Sequence, residues 1–454
     1  MTATIYALTT PLGKSGVAVV RVSGPAAKDS LKALTGLEGP EPRFAYFKKI
    51  THPATGAGID EALVIYFKAP ASFTGEDVVE YHLHGSVAII NALLGVLQHQ
   101  PHHRHATAGE FTRRAFDNGK IDLTEAEAIA DLIDAETEEQ RLQAFTQVSG
   151  GLRALYEDWA GRLVKSLAYV EANIDFVEED DTVEALHRAL PPLADIAAAI
   201  ENHLQDGRRG ERLRHGLQVA VVGAANSGKS TLVNALAQRD VAIVSATAGT
   251  TRDVLEVHLD IGGYPVILLD TAGLRPEDIL QDAQGQIEAE GIRRTRAKAQ
   301  AADIKILMFD GADLPALSPE TLALKDGNSL LVIGRSKLAP ENAALAVQEA
   351  ILTDAQSGAG LPELLQALEK QIKTVLGTKS STPPPTRTRY SEALQECLAA
   401  LARAKEQASR GEAGDPALFA EDMRLAVRAI GRITGRVDVE DLLDIIFRDF
   451  CIGK

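Results

Sequence analysis

The chain has 454 residues, 45% of them hydrophobic and 24% charged, which excludes a disordered or fibrous protein and indicates two or three folded domains. Its formal net charge of −16 argues against indiscriminate binding to nucleic acid or anionic lipid, so any RNA contact needs a local basic patch. Two cysteines are too few for a disulfide framework, and neither a signal peptide nor a membrane-spanning apolar run is visible, so we expect a cytoplasmic protein with no membrane association.

The first part of the chain, residues 1–118, predicts a small α+β domain. β-branched and aromatic runs at Gly16–Val22 and Ala62–Phe67 predict strands, and Val87–Leu97 predicts a helix. We therefore expect a separate small domain here.

Two groups of histidines in this domain raise the question of a metal site. His82 and His84 alternate along a predicted strand, but no third ligand follows at a defined spacing, and we interpret both as structural. The tract from Pro101 to His105 contains more histidine, yet its polar setting favours a solvated loop.

Residues 119–215 predict the first half of a helical domain. Thr124 and Glu127 have the spacing of a capping box, which predicts a helix start at Thr124. Gly150 and Gly151 predict a break before a second long helix, whose apolar residues recur at spacings of three and four. Such helices usually pack in a bundle.

Residues 216–376 predict a domain in which short apolar strands alternate with helices, the pattern of a mostly parallel sheet with helices on its faces. The predicted strands are Leu217–Val222, Val257–Ile261, Val266–Leu269, Ile304–Phe309 and Leu330–Ile333.

Residues 377–454 predict the second half of the helical domain. They begin with a proline-rich linker, 377–389, and continue with helices over Glu392–Gln407 and Pro416–Ile433. The predicted fold is therefore an α/β domain inserted into an all-α helical domain, preceded by an N-terminal α+β domain.

The segment Gly223–Ser230 reads GAANSGKS directly after a predicted strand, and it fits the phosphate-loop pattern GxxxxGK followed by Ser or Thr. In that loop, backbone N–H groups turn towards phosphate oxygens. Lys229 reaches the β and γ phosphates, Ser230 offers its hydroxyl to Mg²⁺, and the helix over Lys229–Ala237 points its positive end at the anion. The alternative is an incidental glycine-rich turn.

Two further pieces of a nucleotide site follow in the expected order. Asp270–Gly273 reads DTAG after a strand, so Asp270 can hold the Mg²⁺ water shell and the Gly273 N–H can meet the γ phosphate. Between them lies SATAGTTRD, residues 245–253, in which Thr251 is the candidate second hydroxyl on Mg²⁺. Without the flanking motifs, this segment would be interpreted as a solvated Ser/Thr loop.

The motif that normally selects guanine is replaced in this chain. Guanine is normally selected by Asn-Lys-x-Asp, but after Leu330–Ile333 the chain has Gly334-Arg335-Ser336-Lys337, with a cation where the carboxylate should be. The last base-contacting segment survives in part at residues 354–358, which read DAQSG. We therefore predict weakened discrimination between GTP and ATP.

The order of these motifs resembles that of the translation-factor-related GTPases. GTTRD, residues 249–253, together with Asn226 before Ser227-Gly228-Lys229, narrows the resemblance to the MnmE (TrmE) family of tRNA modification GTPases. Other stretches are similar to the same family and read GVAVVRVSG from residue 16, SFTGEDVVE from 72, GEFTRRAFDNGKIDL from 109 and CIGK from 451. The resemblance covers nearly the whole chain.

The resemblance implies a potassium-dependent mechanism. Leu274 after DTAG cannot orient water, and in the family a K⁺ ion takes the electrostatic place of an arginine finger; the matching ligands are Asn226, Ser245, Thr247 and Thr250. Glu288, in the pattern EAEGI, is the candidate for aligning water, with a solvated glutamate as the alternative. The implied nucleotide contacts are Asn226, Ser227, Gly228, Lys229, Ser230, Thr231, Ser245, Ala246, Thr247, Ala248, Gly249, Thr250, Thr251, Asp270, Thr271, Ala272, Gly273, Asp354 and Ala355.

The resemblance also implies that the N-terminal domain dimerises and binds a 5-formyl or 5,10-methylene tetrahydrofolate. The contacts carried over are Arg21, Glu80, Lys120 and Lys454, against the alternative of salt-bridged surface residues. Cys451 near the C-terminus is a candidate for a chemical role as a nucleophile or redox group.

The implied function is a K⁺-stimulated GTPase that acts with the FAD-dependent partner MnmG (GidA), in a heterotetramer, on the wobble uridine (U34) of certain tRNAs. It adds an aminomethyl-type group to C5 with a folate one-carbon donor. The alternative is a nucleotide-dependent scaffold or assembly switch without base chemistry. Arg424, Arg428 and Arg432 recur on one face of a predicted helix, as either a solvated stripe or a tRNA contact.

Overall fold

The computed structural model forms two compact units. Unit 1 comprises residues 1–130, 148–165 and 423–454, and unit 2 comprises residues 131–147 and 166–422. The residues that the structure describes are 3–175, 181–224, 227–239, 241–243, 256–270, 300–339, 349–377, 382–410, 414–437, 439–448 and 450–453.

Unit 1 contains a six-stranded sheet with the order β3-β4-β5-β2-β1-β6. Its pairings are antiparallel except for that of β1 with β6. Helices α1 and α2 pack on it through a core that includes Leu31, Leu34, Leu93 and Leu97. The elements are β1 Thr4–Leu8, β2 Ser15–Ser23, α1 Ala27–Thr35, β3 Ala45–Thr51, β4 Gly58–Phe67, β5 Val78–Gly85, α2 Val87–Gln98 and β6 His103–His105.

The histidine tract contributes a strand to this sheet, so the prediction of a loop was wrong, although most of its residues are exposed as predicted. β6 pairs in parallel with β1, with His103 opposite Thr4 and His105 opposite Tyr6. The His105 ring lies 4.5 Å from the Tyr6 ring, centroid to centroid. A short polar sequence can form an edge strand because its backbone groups are satisfied by the neighbouring strand, whatever its side chains.

The helices that follow are α3 Glu110–Asp117, α4 Leu123–Ile133, α5 Glu138–Val148 and α6 Gly151–Asp175. A capping box starts α4, but its members are Asp122 and Glu125, not Thr124 and Glu127 as predicted. The Asp122 side chain accepts the Glu125 N–H at 2.8 Å, and the Glu125 side chain accepts the Asp122 N–H at 2.7 Å. Thr124 donates its hydroxyl to Asp122 at 2.8 Å and is already inside the helix.

The last part of the chain packs against the first within unit 1. Helix α14, Glu440–Arg448, contributes Leu443 and Phe447 to an apolar cluster with Leu123 and Ala126. Gly453 has a φ of +104°, and a Cβ there would lie 2.3 Å from the Leu8 carbonyl oxygen. Only glycine allows this approach of the two backbones.

Unit 2 contains most of α5 and, among its other helices, α7 Asp181–Gln205, α8 Gly207–His215 and α12 Thr388–Ser409. Helices α6 and α13 Pro416–Thr434 each have residues in both units. Asp131 accepts hydrogen bonds from Arg214 and Arg387 at 2.8 and 2.9 Å. The predicted linker is packed over its second half, since Pro385 is buried and its carbonyl would lie 2.3 Å from a Cβ at Gly210.

The sheet of unit 2 has the order β12-β11-β10-β7-β9-β8 and is parallel except for β8 beside β9. This confirms the predicted α/β fold, with one antiparallel edge strand. The elements are β7 Leu217–Gly223, α9 Lys229–Ala237, β8 Glu256–Ile261, β9 Tyr264–Asp270, β10 Ile304–Asp310, α10 Pro319–Leu322, β11 Ser329–Gly334, β12 Ile351–Leu352 and α11 Leu361–Leu376.

Across the described ranges, every helix is too short or too polar to serve as a transmembrane span.

Candidate nucleotide-binding site

The phosphate loop joins the carboxyl end of β7 to α9. A Cβ at Gly223 would lie 2.3 Å from the Met308 carbonyl oxygen and 2.7 Å from Ser227 Oγ, so no side chain fits there. Gly228, directly before α9, has a φ of +92°. Both glycines are therefore required by the local backbone, as expected from the motif.

Lys229 is buried, and its ammonium is held inside the loop. Nζ donates to the carbonyl oxygens of Gly223 at 3.0 Å and Ala224 at 2.7 Å. Ser230 and Thr231 are exposed on the first turn of α9. A cation, two hydroxyls and the positive end of a helix are thus collected at one place, which suits a phosphate chain with a divalent cation.

Two neighbouring strands end beside this loop. In β9, Asp270 lies opposite Val221 of β7, and in β10, Met308 lies opposite Gly223. Ligands of open α/β sheets bind outside the carboxyl ends of the strands. The backbone of Asp270, predicted to act on Mg²⁺, is therefore placed at the same edge of the sheet as the phosphate loop.

The loop after β11 also lies against the phosphate loop. A Cβ at Gly334 would lie 2.9 Å from the Ser227 carbonyl oxygen. Arg335, whose φ is +49°, forms an ion pair with Asp310 at the end of β10. Asp310 was missed by the sequence analysis, although a carboxylate directly after a buried strand at this edge was the available signal.

Lys337 and Asp354 form an ion pair between two loops. Lys337 Nζ lies 2.7 Å from Asp354 Oδ2, and the Asp354 carboxylate also accepts the backbone N–H groups of Gln356 and Ser357 at 3.1 and 3.3 Å. The Lys337 hydrogen bond, followed by those from Ser357, lowers the pKa of Asp354 to about 2. Asp354 is therefore ionised at neutral pH.

Many predicted site residues lie outside the described part of the chain. They are Asn226, Ser245, Ala246, Thr247, Ala248, Gly249, Thr250, Thr251, Thr271, Ala272, Gly273, Glu288 and Lys454. Their assigned roles stay predictions.

Comparison with known proteins agrees with the motifs. A family model described as "MnmE helical domain" matches residues 123–451, and one described as "GTP-binding protein TrmE N-terminus" matches residues 4–120. The chain belongs to the MnmE (TrmE) family of tRNA modification GTPases. It is accordingly a GTP hydrolase with a role in tRNA modification.

Individual members of the MnmE family match over their whole length. The tRNA modification GTPase MnmE of Parvibaculum lavamentivorans is 51% identical over 454 residues, covering 99% of this chain and 100% of the relative. That of Maricaulis maris is 46% identical, with 100% of both chains covered. The mitochondrial 5-taurinomethyluridine-[tRNA] synthase subunit GTPB3 of Danio rerio is 45% identical, covering 99% of this chain and 93% of the relative.

The predicted folate contacts of this MnmE family member include an ion pair in unit 1. Arg21 on β2 lies opposite Glu80 on β5, and Arg21 Nε donates to Glu80 Oε1 at 2.9 Å. The guanidinium carbon lies 5.6 Å from the ring centroids of both Phe73 and Phe111. These aromatic neighbours were not identified from the sequence.

The environment of Glu80 favours its ionised form. Burial alone would raise its pKa, but the nearby His82 ring and the Arg21 guanidinium outweigh burial, so the pKa of Glu80 is lowered. His82 Nε2 lies 3.4 Å from Glu80, and His84 Nδ1 lies 2.8 Å from Asp60. Both histidines contact carboxylates, and within the described ranges no three potential ligands are grouped for a metal ion.

The other predicted contacts are more exposed. Lys120 donates its ammonium to the Pro70 carbonyl oxygen at 2.9 Å. Cys451 is exposed, and its carbonyl oxygen accepts the Gly109 N–H at 3.4 Å. The neighbouring Ile452 pairs with Ala108 in an isolated bridge.

Proposed function

We propose that the chain is a K⁺-stimulated GTPase that adds a carboxymethylaminomethyl-type group to C5 of the wobble uridine of certain tRNAs, together with the FAD-dependent partner MnmG. The observation that carries this proposal is the phosphate loop with the buried Lys229 ammonium, in a chain of the MnmE family. GTP hydrolysis then supplies a conformational cycle rather than the base chemistry itself.

The described residues fit a Mg²⁺–triphosphate complex. The Lys229 ammonium would give up its hydrogen bonds to two loop carbonyls and donate to phosphate oxygens instead. The exposed Ser230 hydroxyl would coordinate Mg²⁺. Asp270 and Thr251 would complete the metal site. Mg²⁺ would neutralise charge that develops on the phosphates during hydrolysis.

Potassium would be held by Asn226, Ser245, Thr247 and Thr250, and Glu288 would align the attacking water. The test is phosphate release from GTP in K⁺ against Na⁺ buffer, for the parent chain and for Asn226→Ala. We expect faster release in K⁺ for the parent and little difference between the salts for the variant. Equal rates for the parent in both salts would remove the potassium mechanism.

The folate donor would bind in unit 1 at Arg21, Glu80, Lys120 and Lys454. The Arg21–Glu80 pair supports this because it offers a donor and an acceptor side by side, which matches the adjacent acceptor and donors of a pterin edge. The test is titration of the full chain with 5-formyltetrahydrofolate, monitored by calorimetry, for the parent and for Glu80→Gln. We expect weaker binding by the variant.

The proposed assembly and location rest on the resemblance to the same family. We infer a homodimer that forms a heterotetramer with MnmG in the cytoplasm. Sedimentation of the chain alone and after mixing with MnmG tests both steps, since a monomer that ignores MnmG would contradict the proposal.

tRNA would contact the basic face of α13. Arg424 and Arg428 are exposed there, and Arg432 is partly buried. Reversing the three charges should weaken tRNA binding and flatten its dependence on salt, because fewer counterions are released. The control reverses Lys28, Lys325 and Lys370, which are exposed on separate elements and change the net charge equally. Equal losses in both variants would exclude a specific face.

The second candidate is a nucleotide-dependent assembly switch without base chemistry. The replacement of the guanine-selecting aspartate by Lys337 favours it, since a switch tolerates relaxed nucleotide choice. Folate binding separates the two candidates, because a switch needs no one-carbon donor.

A further inference from the structure

The base-selecting edge of unit 2 consists of two loops that are fastened to each other. The Thr353 N–H donates to the Ile333 carbonyl at 2.8 Å, and the Ser336 N–H donates to the Thr353 carbonyl at 3.1 Å. These bonds extend the pairing of β11 with β12 beyond the strand ends. Lys337 and Asp354 therefore stand next to each other on a rigid frame, beside the phosphate loop that Gly334 approaches.

The two side chains of this pair are differently exposed. The Asp354 side chain is 11% exposed and is fixed by backbone N–H groups, whereas the Lys337 side chain is 70% exposed. A fixed acceptor thus lies next to a donor that can move. Such a pair matches any base edge on which an acceptor and a donor are adjacent.

Both purines have such an edge. Guanine offers the O6 acceptor at C6 and the N1–H donor beside it, whereas adenine offers the amino donor at C6 and the N1 acceptor beside it. The two orders are opposite, so the Lys337 ammonium has to lie on opposite sides of the fixed Asp354 carboxylate for the two bases. A lone carboxylate at position 337 would accept two hydrogen bonds from guanine and none from the N1 side of adenine. The pair of Asp354 with an exposed Lys337 can serve either order, because the lysine side chain can take either side of the carboxylate.

We propose that Lys337 and Asp354 together read the purine base, so that the nucleotide site accepts adenine nucleotides as well as guanine nucleotides. This inference rests on the proposed function, because it requires the phosphate loop to bind a triphosphate. Lys337 donates to guanine O6 or adenine N1, and Asp354 accepts from guanine N1–H or the adenine amino group. Binding replaces the direct ion pair with one bridged by the base.

The test measures dissociation constants of the full chain for the Mg²⁺ complexes of non-hydrolysable GTP and ATP analogues by calorimetry. The parent should bind the ATP analogue within about tenfold of the GTP analogue. The double variant Lys337→Asp, Asp354→Ser should widen the preference for GTP by roughly tenfold to a hundredfold, as expected for one bidentate base contact. Lys325→Asp, an exposed lysine in the loop before β11, is the charge control and should keep the parent ratio.

The outcomes separate this inference from the proposed function. A parent chain that binds the GTP analogue and excludes the ATP analogue by more than about a hundredfold overturns only the inference. An unchanged ratio in a folded double variant overturns it as well. A parent chain that binds neither analogue overturns both. The parent ratio is decisive even if the double variant fails to fold.

Discussion

The Arg21 guanidinium and the Glu80 carboxylate face each other across β2 and β5, with side-chain exposures of 22% and 16%. Removing the guanidinium by Arg21→Ala leaves a mostly buried carboxylate beside His82, and it also uncovers Phe73 and Phe111. We expect unit 1 to lose about 2 kcal/mol of unfolding free energy. Denaturant unfolding followed by hydrogen exchange of β2 and β5 measures the loss.

The stability difference between the parent chain and Arg21→Ala should depend on pH. The pKa of Glu80 is lower in the folded chain than in the unfolded chain, so the ionised carboxylate stabilises the fold. This stabilisation is present at pH values above the unfolded pKa and is lost as the pH falls through the folded pKa. The difference between parent and Arg21→Ala should therefore shrink in acid. Arg113→Ala, which breaks an exposed pair with Asp444, is the control and should change stability by less than about 1 kcal/mol.

A second prediction concerns Asp122, which caps α4. Burial raises its pKa to about 6, and its Oδ2 is buried without a hydrogen-bond partner among the described residues. An acid whose folded pKa is raised stabilises the fold below its unfolded pKa, and this contribution is lost as the pH rises through about 6. Asp122→Asn keeps the cap acceptor and removes the charge. It should stabilise unit 1 by about 2 kcal/mol at pH 7.

The pH dependence checks the cause. Parent and Asp122→Asn should converge below about pH 4, where both side chains are neutral in the folded and unfolded chain. Equal unfolding free energies at pH 7 would show that the carboxylate costs nothing at this position. Asp122→Ala serves as the control, because it removes the charge and the cap together and should lose the cap contribution of about 1 kcal/mol.

A third prediction concerns Gly453. Gly453→Ala would place a methyl group 2.3 Å from the Leu8 carbonyl oxygen, so the segment after α14 should separate from β1. The matched control is Gly119→Ala, which has a similarly positive φ of +65° but nothing within 4 Å of the added Cβ. Hydrogen exchange at the Gly109 N–H, which donates to Cys451, should accelerate in Gly453→Ala alone. Equal acceleration in both variants would assign the effect to backbone strain instead.

A fourth prediction concerns Lys229. Lys229→Ala removes the ammonium held by the carbonyls of Gly223 and Ala224, and it should weaken triphosphate binding about a hundredfold through the lost charge-assisted bonds. Calorimetry with the non-hydrolysable GTP analogue measures this. Lys325→Ala is the control for removing one positive charge, and an equal effect of both variants would contradict a role inside the loop.

The sequence predicted the elements with strong local signals. GxxxxGKS after an apolar run identified the strand, loop and helix from Leu217 to Ala237, because the two glycines and the cation are needed within a few residues of each other. The predicted helices Val87–Leu97 and Pro416–Ile433 agree with α2 and α13 to within one residue. Fold class follows from such local patterns when strands and helices alternate regularly.

The elements that the sequence missed depend on distant partners. The strand His103–His105 forms because β1 offers it a free edge, and β1 lies at the other end of the domain's sequence. The capping box was assigned to Thr124 because Asp122 with Glu125 and Thr124 with Glu127 have the same spacing. The reciprocal hydrogen bonds of Asp122 and Glu125 identify the cap. The Lys337–Asp354 pair links two loops, so neither residue alone indicates it.

The apolar cluster of unit 1 constrains how the chain is made. Leu123 and Ala126 are synthesised early, whereas Leu443 and Phe447 are synthesised only after all of unit 2. During that interval the nascent N-terminal segment exposes apolar surface that nothing yet covers, a state prone to aggregation. We expect the newly made segment to need chaperone protection until α14 leaves the exit tunnel.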